Sequence, residues 1–548
     1  MEKKKGVKRI SFVSQGAIES YTFIACYLIG ALRMIFFLNK VSDEGIAHYA
    51  YAFECYNILY IITSLALSKT LCPMVAMRQS KGQFKNRDKL YRYALLRSLL
   101  FSAVIGIGLF FSSDVLAKGM FGQANVSLAL KCLGIALIPA AFLNVATGYL
   151  KGMGMKMPGC IAQIVEQIVN LIVTPAVGGA LFMYGSKVSA LLEDETKKNA
   201  FGAAAGSIGV LSGALFGALF LIFILFLFRS MLKKDTLTDV TKTVEHYKEL
   251  AGNMEFTTAF TMISLLFDSI AVFVNQLFYF HFAKGKESSL ATAYGAFYGK
   301  VRVFVFMPLL LAFLMETVLT GQIRRILKKD DVNHARQRVD QSLKELMCLL
   351  MPLAVFLGIT AEQTFQLFYK GQIKIAVSMM HFAVIYIVLA GIAAITSAVL
   401  MGMDKKGIHT VNQGISCLIE IVSFALFFMN TKTPVYGIVY AMFAGVIARI
   451  LLNSVILVQK LKYQPDWFGV FLMPLGASAV MGIIDFVICK FMSDALGEIF
   501  TLLICGILSC LIYMMIIMLT ATLKEYELME LPFGKYFCRL GKMLGILK

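Results

Sequence analysis

The sequence predicts an all-α, polytopic membrane protein with about fourteen transmembrane helices. Three observations predict it. Of the 548 residues, 58% are hydrophobic and only 16% are charged, whereas a soluble globular chain has ~45–50% apolar and ~25% charged residues. The apolar residues fall into blocks separated by short polar breaks, each long enough for the ~20 residues that a helix needs to cross ~30 Å of hydrocarbon. Finally, Lys and Arg crowd into alternate breaks, as expected when alternate loops face the cytoplasm.

Taken in order, apolar runs and polar breaks place the first span at 13–38, after the basic segment MEKKKGVKRI. No small-residue cleavage site follows a short apolar core, so this is read as a span and not as a removed signal peptide. It contains Glu19 and Arg33. The second to sixth spans are expected at 46–71, 93–117, 129–151, 158–183 and 202–228. The seventh and eighth, 254–283 and 290–318, hold Asp268, Lys300, Arg302 and Glu316. Apolar runs at 343–369, 375–401, 410–430, 434–459, 468–491 and 497–523 complete the set.

Loop charge supports the count. Lys3, Lys4, Lys5, Lys8 and Arg9 precede the first span, and Arg78, Lys81, Lys85, Arg87, Lys89 and Arg92 follow the second. Arg229, Lys233, Lys234, Lys242 and Lys248 follow the sixth, and Arg324, Arg325, Lys328, Lys329, Arg336 and Arg338 follow the eighth. Lys524, Lys535, Arg539, Lys542 and Lys548 form the tail. The opposite loops are short or mixed, as at Val41–Gly45 and Glu193, Asp194, Glu195; Lys370 and Lys374 of the ninth-to-tenth loop are the exception. Both termini are expected in the cytoplasm. The net charge of +19 is then the sum of this bias and implies no nucleic-acid partner.

An internal repeat divides the chain. In Gly148–Val173, residues Gly152, Met153, Lys156 and Gln163 fall at one offset on Gly402, Met403, Lys406 and Gln413 of Val399–Ile421. Lys81–Leu95 pairs in the same manner with Lys329–Leu343. The expected organisation is a six-helix lobe at 10–230, a second at 250–460, an additional helix pair at 468–523 and a basic cytoplasmic tail at 524–548. Parallel halves around a midplane site are a transporter plan.

An ionisable group within a span costs ~2.5–3.5 kcal/mol on insertion scales and needs a wet cavity or a partner. Glu19, Arg33, Glu54 and Lys69 lie in the first two spans, and Asp268, Lys300, Arg302 and Glu316 in their repeat equivalents, the seventh and eighth. That pairing predicts a polar cavity between the lobes. Arg33 and Lys69 can alternatively snorkel to the interface. Glu166 and Glu420 can hold structural hydrogen bonds, and Asp268 is the strongest candidate for a proton or ion site. No HExxH, P-loop or GxSxG motif is present, so neither an enzyme nor an ATPase is expected. The eleven cysteines are scattered without paired Cys/His spacing, so neither a metal site nor a cofactor is indicated.

Four stretches carry a family resemblance: Ile138–Asn170, Met77–Leu95, Ala293–Phe313 and Ile29–Val41. In them the chain resembles the polysaccharide-flippase branch of the multidrug/oligosaccharidyl-lipid/polysaccharide (MOP) exporter superfamily. The resemblance implies fourteen helices, two six-helix lobes in a V around a central cavity, and transport of a lipid-linked saccharide of the polyprenyl diphosphate type. It implies that Arg33 matches a first-span arginine, and Glu166 with Gln167 a Glu-Gln pair. Thr147, Lys151 and Asn170 depart from the Arg, Gln and Arg usual at those positions, and Ser68-Lys69 lies about one turn early.

The expected function is a flippase of the cell membrane working by alternating access. Arg33, Lys69, Lys300 and Arg302 are its expected substrate-binding residues. Asp268, Glu54 and Glu316 are expected to couple transport to H+ or Na+, and Glu166, Gln167 and Glu420 to be structural. The alternatives are a multidrug/cation antiporter of the same superfamily or a non-transporting envelope-assembly protein.

Overall fold

A computed structural model describes residues 17–194, 196–241, 245–281, 287–430, 434–520, 522–523, 525–529 and 534–543. Lys3, Lys4, Lys5, Lys8, Arg9, Glu195, Lys242, Lys524 and Lys548, counted above among the loop charges, lie outside the described residues. Among those described there is no strand, and fourteen helices are long and apolar enough to cross a membrane. They are α1 (Ile18–Leu38), α2 (Asp43–Ser80), α3 (Phe84–Gly119), α4 (Ala124–Gly152), α5 (Lys156–Leu192), α6 (Lys197–Leu227) and α7 (Tyr247–His281). Then come α8 (Ser289–Leu327), α9 (Val332–Ile359), α10 (Lys374–Gly402), α11 (Lys406–Phe428), α12 (Pro434–Leu461), α13 (Phe468–Met492) and α14 (Glu498–Leu519). Each overlaps one predicted span.

Several helices outrun the apolar blocks that predict them. α2 continues to Ser80, α3 begins at Phe84 and α7 at Tyr247. A helix satisfies its backbone internally whether its side chains are apolar or polar, so hydropathy marks the hydrocarbon crossing and not the helix end. The ninth helix is displaced as well as extended. The Asp331 carboxylate accepts the His334 N–H at 3.0 Å and starts α9 on the polar side of its apolar block. At the other end Thr360, with ψ of 13°, leaves helical geometry, and the residues expected to finish this span form a separate short helix, Ala361–Phe368.

The helices group into two compact units. The first comprises Thr22–Gly299 and Phe424–Val435; the second holds Lys300–Ser423 and the chain from Tyr436 onward. In the first, α5 and α6 share the most extensive packing. Gly202, Gly206, Gly209, Gly213 and Gly217 form one face of α6. A methyl group on Gly213 would stand 2.6 Å from the Glu166 carbonyl oxygen, so only glycine permits this approach. Small residues replace the absent hydrophobic drive between helices in lipid with close van der Waals contact. In the second unit α10 packs on α8 and α9, and α13 packs on α9 and α14.

The repeat has backbone counterparts. A π turn interrupts α2 at Ile61–Leu65 and α8 at Phe297–Val301, the second span of each half. The connections that follow each contain a left-handed residue, Gly82 at φ 68° and Asp330 at φ 53°.

Several of the basic residues in the α2–α3 region have acidic partners in the α6–α7 connection. Arg78 pairs with Glu245 at 2.5 Å, Arg87 with Asp235 at 2.9 Å and Lys85 with Asp239 at 3.6 Å. Lys89 Nζ donates to the Glu245 carbonyl at 2.5 Å, and the Val240 N–H to the Gly82 carbonyl at 3.2 Å. The positive loop therefore also fastens the connection between spans six and seven.

Candidate functional site

The first unit builds a polar core inside its spans. The π turn of α2 places Tyr60 and Ser64 towards α4, where the Tyr60 hydroxyl donates to Asn144 Oδ1 at 3.0 Å and Asn144 Nδ2 donates to Ser64 Oγ at 2.9 Å. One turn on, Ser68 Oγ donates to the Asn144 carbonyl at 2.6 Å. A π turn inserts an extra residue and reorients side chains, which is why such turns recur at functional sites. From α5, the Glu166 carboxylate lies within electrostatic reach of Tyr56, Tyr60 and Cys26. Gln167 Oε1 comes up against Gly30 of α1, 3.7 Å from where a Cβ would stand. Deeper in α5, Thr174 Oγ1 donates to Asn170 Oδ1 at 2.7 Å.

Arg33 borders this core half-buried, with Nη1 donating to the Tyr49 hydroxyl at 3.2 Å. Its Nε is buried without a hydrogen-bond partner among the described residues. Glu54 of α2 is 2% exposed. Asp268 is exposed on α7; beside it, Ser269 Oγ accepts from Asn57 Nδ2 of α2 at 3.2 Å. Lys69 is exposed on α2, roughly three turns before the helix ends at Ser80. The first unit thus gathers Arg33, Glu166 and Gln167 around α1, α2 and α5, and leaves both Asp268 and Lys69 exposed.

The second unit holds the remaining candidates. Lys300, in the π turn of α8, is 1% exposed. Its Nζ donates to the Gln372 carbonyl at 3.0 Å and lies 5.8 Å from the Tyr369 ring, so this ammonium is tied to the α9–α10 connection. Arg302 is half-buried over Phe306, 5.5 Å from the ring centre. Glu316 is half-buried one turn before Thr320. Glu420 of α11 packs on Gly445 of α12, where a Cβ would meet its Oε2 at 2.7 Å.

Sequence reasoning passed over two polar groups. Asn412 Nδ2 donates to Asn453 Oδ1 at 3.0 Å, and Asn453 Nδ2 donates to Thr396 at 3.3 Å and Ser397 at 3.2 Å. These residues tie α10, α11 and α12 together without a formal charge. Between α13 and α14, fully buried Asp485 accepts the Ser509 hydroxyl at 2.6 Å. An acid inside a predicted span was a readable signal; the uncharged cluster was not.

Fourteen membrane-length helices among the described residues, in halves that share turns and carry ionisable side chains within their spans, define a polytopic membrane protein. Residues 21–176 match the MatE family model. It is 21% identical to stage V sporulation protein B of Bacillus subtilis (strain 168), over 91% of this chain and 95% of that protein. It is 19% identical to the lipid II flippase MurJ of the same organism, over 72% of this chain and 73% of the other. Among solved structures, the lipid II flippase MurJ in an inward closed conformation superposes with a TM-score of 0.63 at 16% identity, covering 91% of this chain and 97% of that one.

Proposed function

We propose that the protein is a flippase that moves a lipid-linked oligosaccharide or polysaccharide precursor across the cytoplasmic membrane by alternating access, without ATP. The observation that carries this reading is Arg33: an arginine inside the first span, at the edge of a polar core, whose buried Nε is left without a hydrogen-bond partner among the described residues. The likeness to a lipid II flippase over most of both chains supports it.

A polyprenyl diphosphate head cannot enter hydrocarbon alone, because its charges and sugar hydroxyls would lose their hydration. Guanidinium and ammonium groups replace that hydration with charge-assisted hydrogen bonds. Arg33, Lys69, Lys300 and Arg302 are proposed to meet the diphosphate along its path, while the lipid tail stays in the bilayer. Asp268, with Glu54 and Glu316, is proposed to couple movement to H+ or Na+. Outward movement of an anion across an inside-negative potential is favourable by ~2.3 kcal/mol per charge per 100 mV. Both termini are proposed to lie in the cytoplasm, which an even number of spans and the basic loops support.

The MatE match favours a second reading, a multidrug/cation antiporter. Reconstitution in liposomes decides between them. A fluorescent lipid-linked saccharide should become accessible on the opposite leaflet only when the protein is present, and a cationic dye should not move. Dye exchange against protons without saccharide movement would replace the flippase by the antiporter.

A further inference from the structure

The second unit contains a cavity of about 770 Å³ lined by residues of α9, the short helix Ala361–Phe368, α10, α13 and the start of α14. It is within the ~300–1,000 Å³ range of small-molecule sites. Its wall combines the carboxylates Glu362 and Glu498, the amide Gln363, the imidazole His381, the ammonium Lys490 and the apolar ring of Phe486. Glu362, His381 and Lys490 are exposed at the rim. Gln363 is 9% exposed, and its Oε1 is buried with no hydrogen-bond partner among the described residues.

A buried acceptor without a donor is costly to desolvate. Here it shares a cavity with two carboxylates, so the missing partner is a donor and preferably a cation. The helix ends fix where that donor comes from. α9 and α13 end at this cavity, while α10 and α14 begin there, so it opens where spans leave the hydrocarbon. The same loop carries Lys370 and Lys374, the exception to the alternation of basic loops. A molecule that brings an ammonium, an anionic group for Lys490 and an apolar body for Phe486 to that depth is a membrane lipid.

We infer that this cavity binds the head group of an aminophospholipid, with its primary ammonium held by Glu362, Glu498 and Gln363 Oε1 and its phosphate by Lys490. Three acceptors around one ammonium match the three donors of a primary amine, and a trimethylammonium offers none. The exposed His381 closes the rim beside the phosphate. The site is separate from the residues assigned to transport, so it stands or falls independently of the transported substrate.

The test uses the full chain, delipidated in detergent and titrated with phosphatidylethanolamine, phosphatidylcholine or phosphatidylglycerol, with bound lipid read by native mass spectrometry. One phosphatidylethanolamine should be retained at least tenfold more tightly than either other lipid. Glu362→Gln should lower that retention at least fivefold while leaving the elution volume and helical signal of the protein unchanged. Lys490→Gln, an exposed rim substitution, should weaken phosphatidylethanolamine and leave free ethanolamine unaffected. Equal retention of the three lipids overturns the assignment, as does a folded Glu362→Gln protein with undiminished retention. Free ethanolamine binding as tightly as the lipid would give the cavity to a soluble amine and overturn the lipid assignment.

Discussion

Gly154 and Asp404 occupy the same step of the same turn, one repeat apart. After α4, the N–H groups of Met153, Gly154 and Met155 donate to the carbonyls of Tyr149, Lys151 and Leu150 at 3.0, 3.0 and 2.9 Å. After α10, those of Met403, Asp404 and Lys405 donate to Val399, Met401 and Leu400 at 2.9, 3.2 and 3.0 Å. The central residue is left-handed in both, φ 86° at Gly154 and φ 60° at Asp404. The repeat seen as matched letters is therefore a repeated chain reversal.

The two positions should respond oppositely to substitution. At Gly154 a Cβ would meet no heavy atom within 4 Å, so Gly154→Ala tests backbone conformation alone, at ~1–2 kcal/mol for an L-residue in this region. Asp404→Gly relieves that penalty but frees the unfolded chain, so a gain below ~1 kcal/mol is expected. Thermal unfolding in detergent should show a lower midpoint for the first and an unchanged or higher one for the second. A Gly154→Ala protein as stable as wild type would remove the left-handed requirement.

Arg87 is the hub of the α2–α3 fastening. Its fully buried side chain donates from Nε to Asp88 at 2.8 Å, and from Nη1 to Gln79 at 2.6 Å and Asp235 at 2.9 Å. The Tyr149 hydroxyl donates to the same Asp88 at 2.7 Å. Breaking a fully buried pair from one side costs ~3–5 kcal/mol. Both acids retain some exposure, 23% and 27%, so that figure is an upper bound for Arg87→Ala. Hydrogen exchange should rise in the connection around Asp235 and Glu245, with α10 and α11 unaffected. Unchanged protection there would mean that Arg87 only packs.

Asp239 gives this fastening a pH limit. Burial raises its carboxyl pKa, but hydrogen bonds from the Thr241 hydroxyl and the Lys85 and Phe84 N–H groups outweigh that and hold it below the usual carboxylate value. A lowered pKa stabilises the folded form above the unfolded value of ~3.9, and the contribution is lost as pH falls through the folded value. Protection of the connection should thus be flat through neutral pH and fall only in acid. Asp239→Asn should lose that acid step; a step persisting in the variant would assign it to another group.

The spans were legible because lipid demands a continuous apolar surface, and the repeat because Gly152, Met153 and Lys156 recur as Gly402, Met403 and Lys406 around the turn, although its central residue differs. Asp485, an acid within an apolar block, carried a readable signal and was passed over. The acid partners of Arg78 and Arg87 were not legible, since they lie in a distant connection and only folding brings them close. Nor was the Asn144 core. Asparagine, tyrosine and serine change hydropathy little within a long span, and their importance lies in a π turn that no local pattern announces. Glu166 was read as a structural polar residue, and its neighbours Tyr56 and Tyr60 are ones that sequence spacing could not assemble.

Arg33 offers the most direct test of substrate handling. Among the described residues, its hydrogen bond to the Tyr49 hydroxyl at 3.2 Å leaves most of a five-donor guanidinium for another acceptor. If that acceptor is the diphosphate, Arg33→Ala should reduce flipping in liposomes roughly ten- to a hundredfold, since a charge-assisted bidentate contact is worth ~1.5–3 kcal/mol in a low-dielectric site. Arg33→Lys keeps the charge but loses the fork, and should fall between. Tyr49→Phe removes only the hydroxyl and should cost at most about tenfold. Asp268→Asn should instead leave saccharide binding intact and flatten the dependence of rate on proton or sodium gradient. Transport by Arg33→Ala at the wild-type rate, with normal membrane insertion, would reduce this arginine to a packing partner of Tyr49 and take the anion site away from α1.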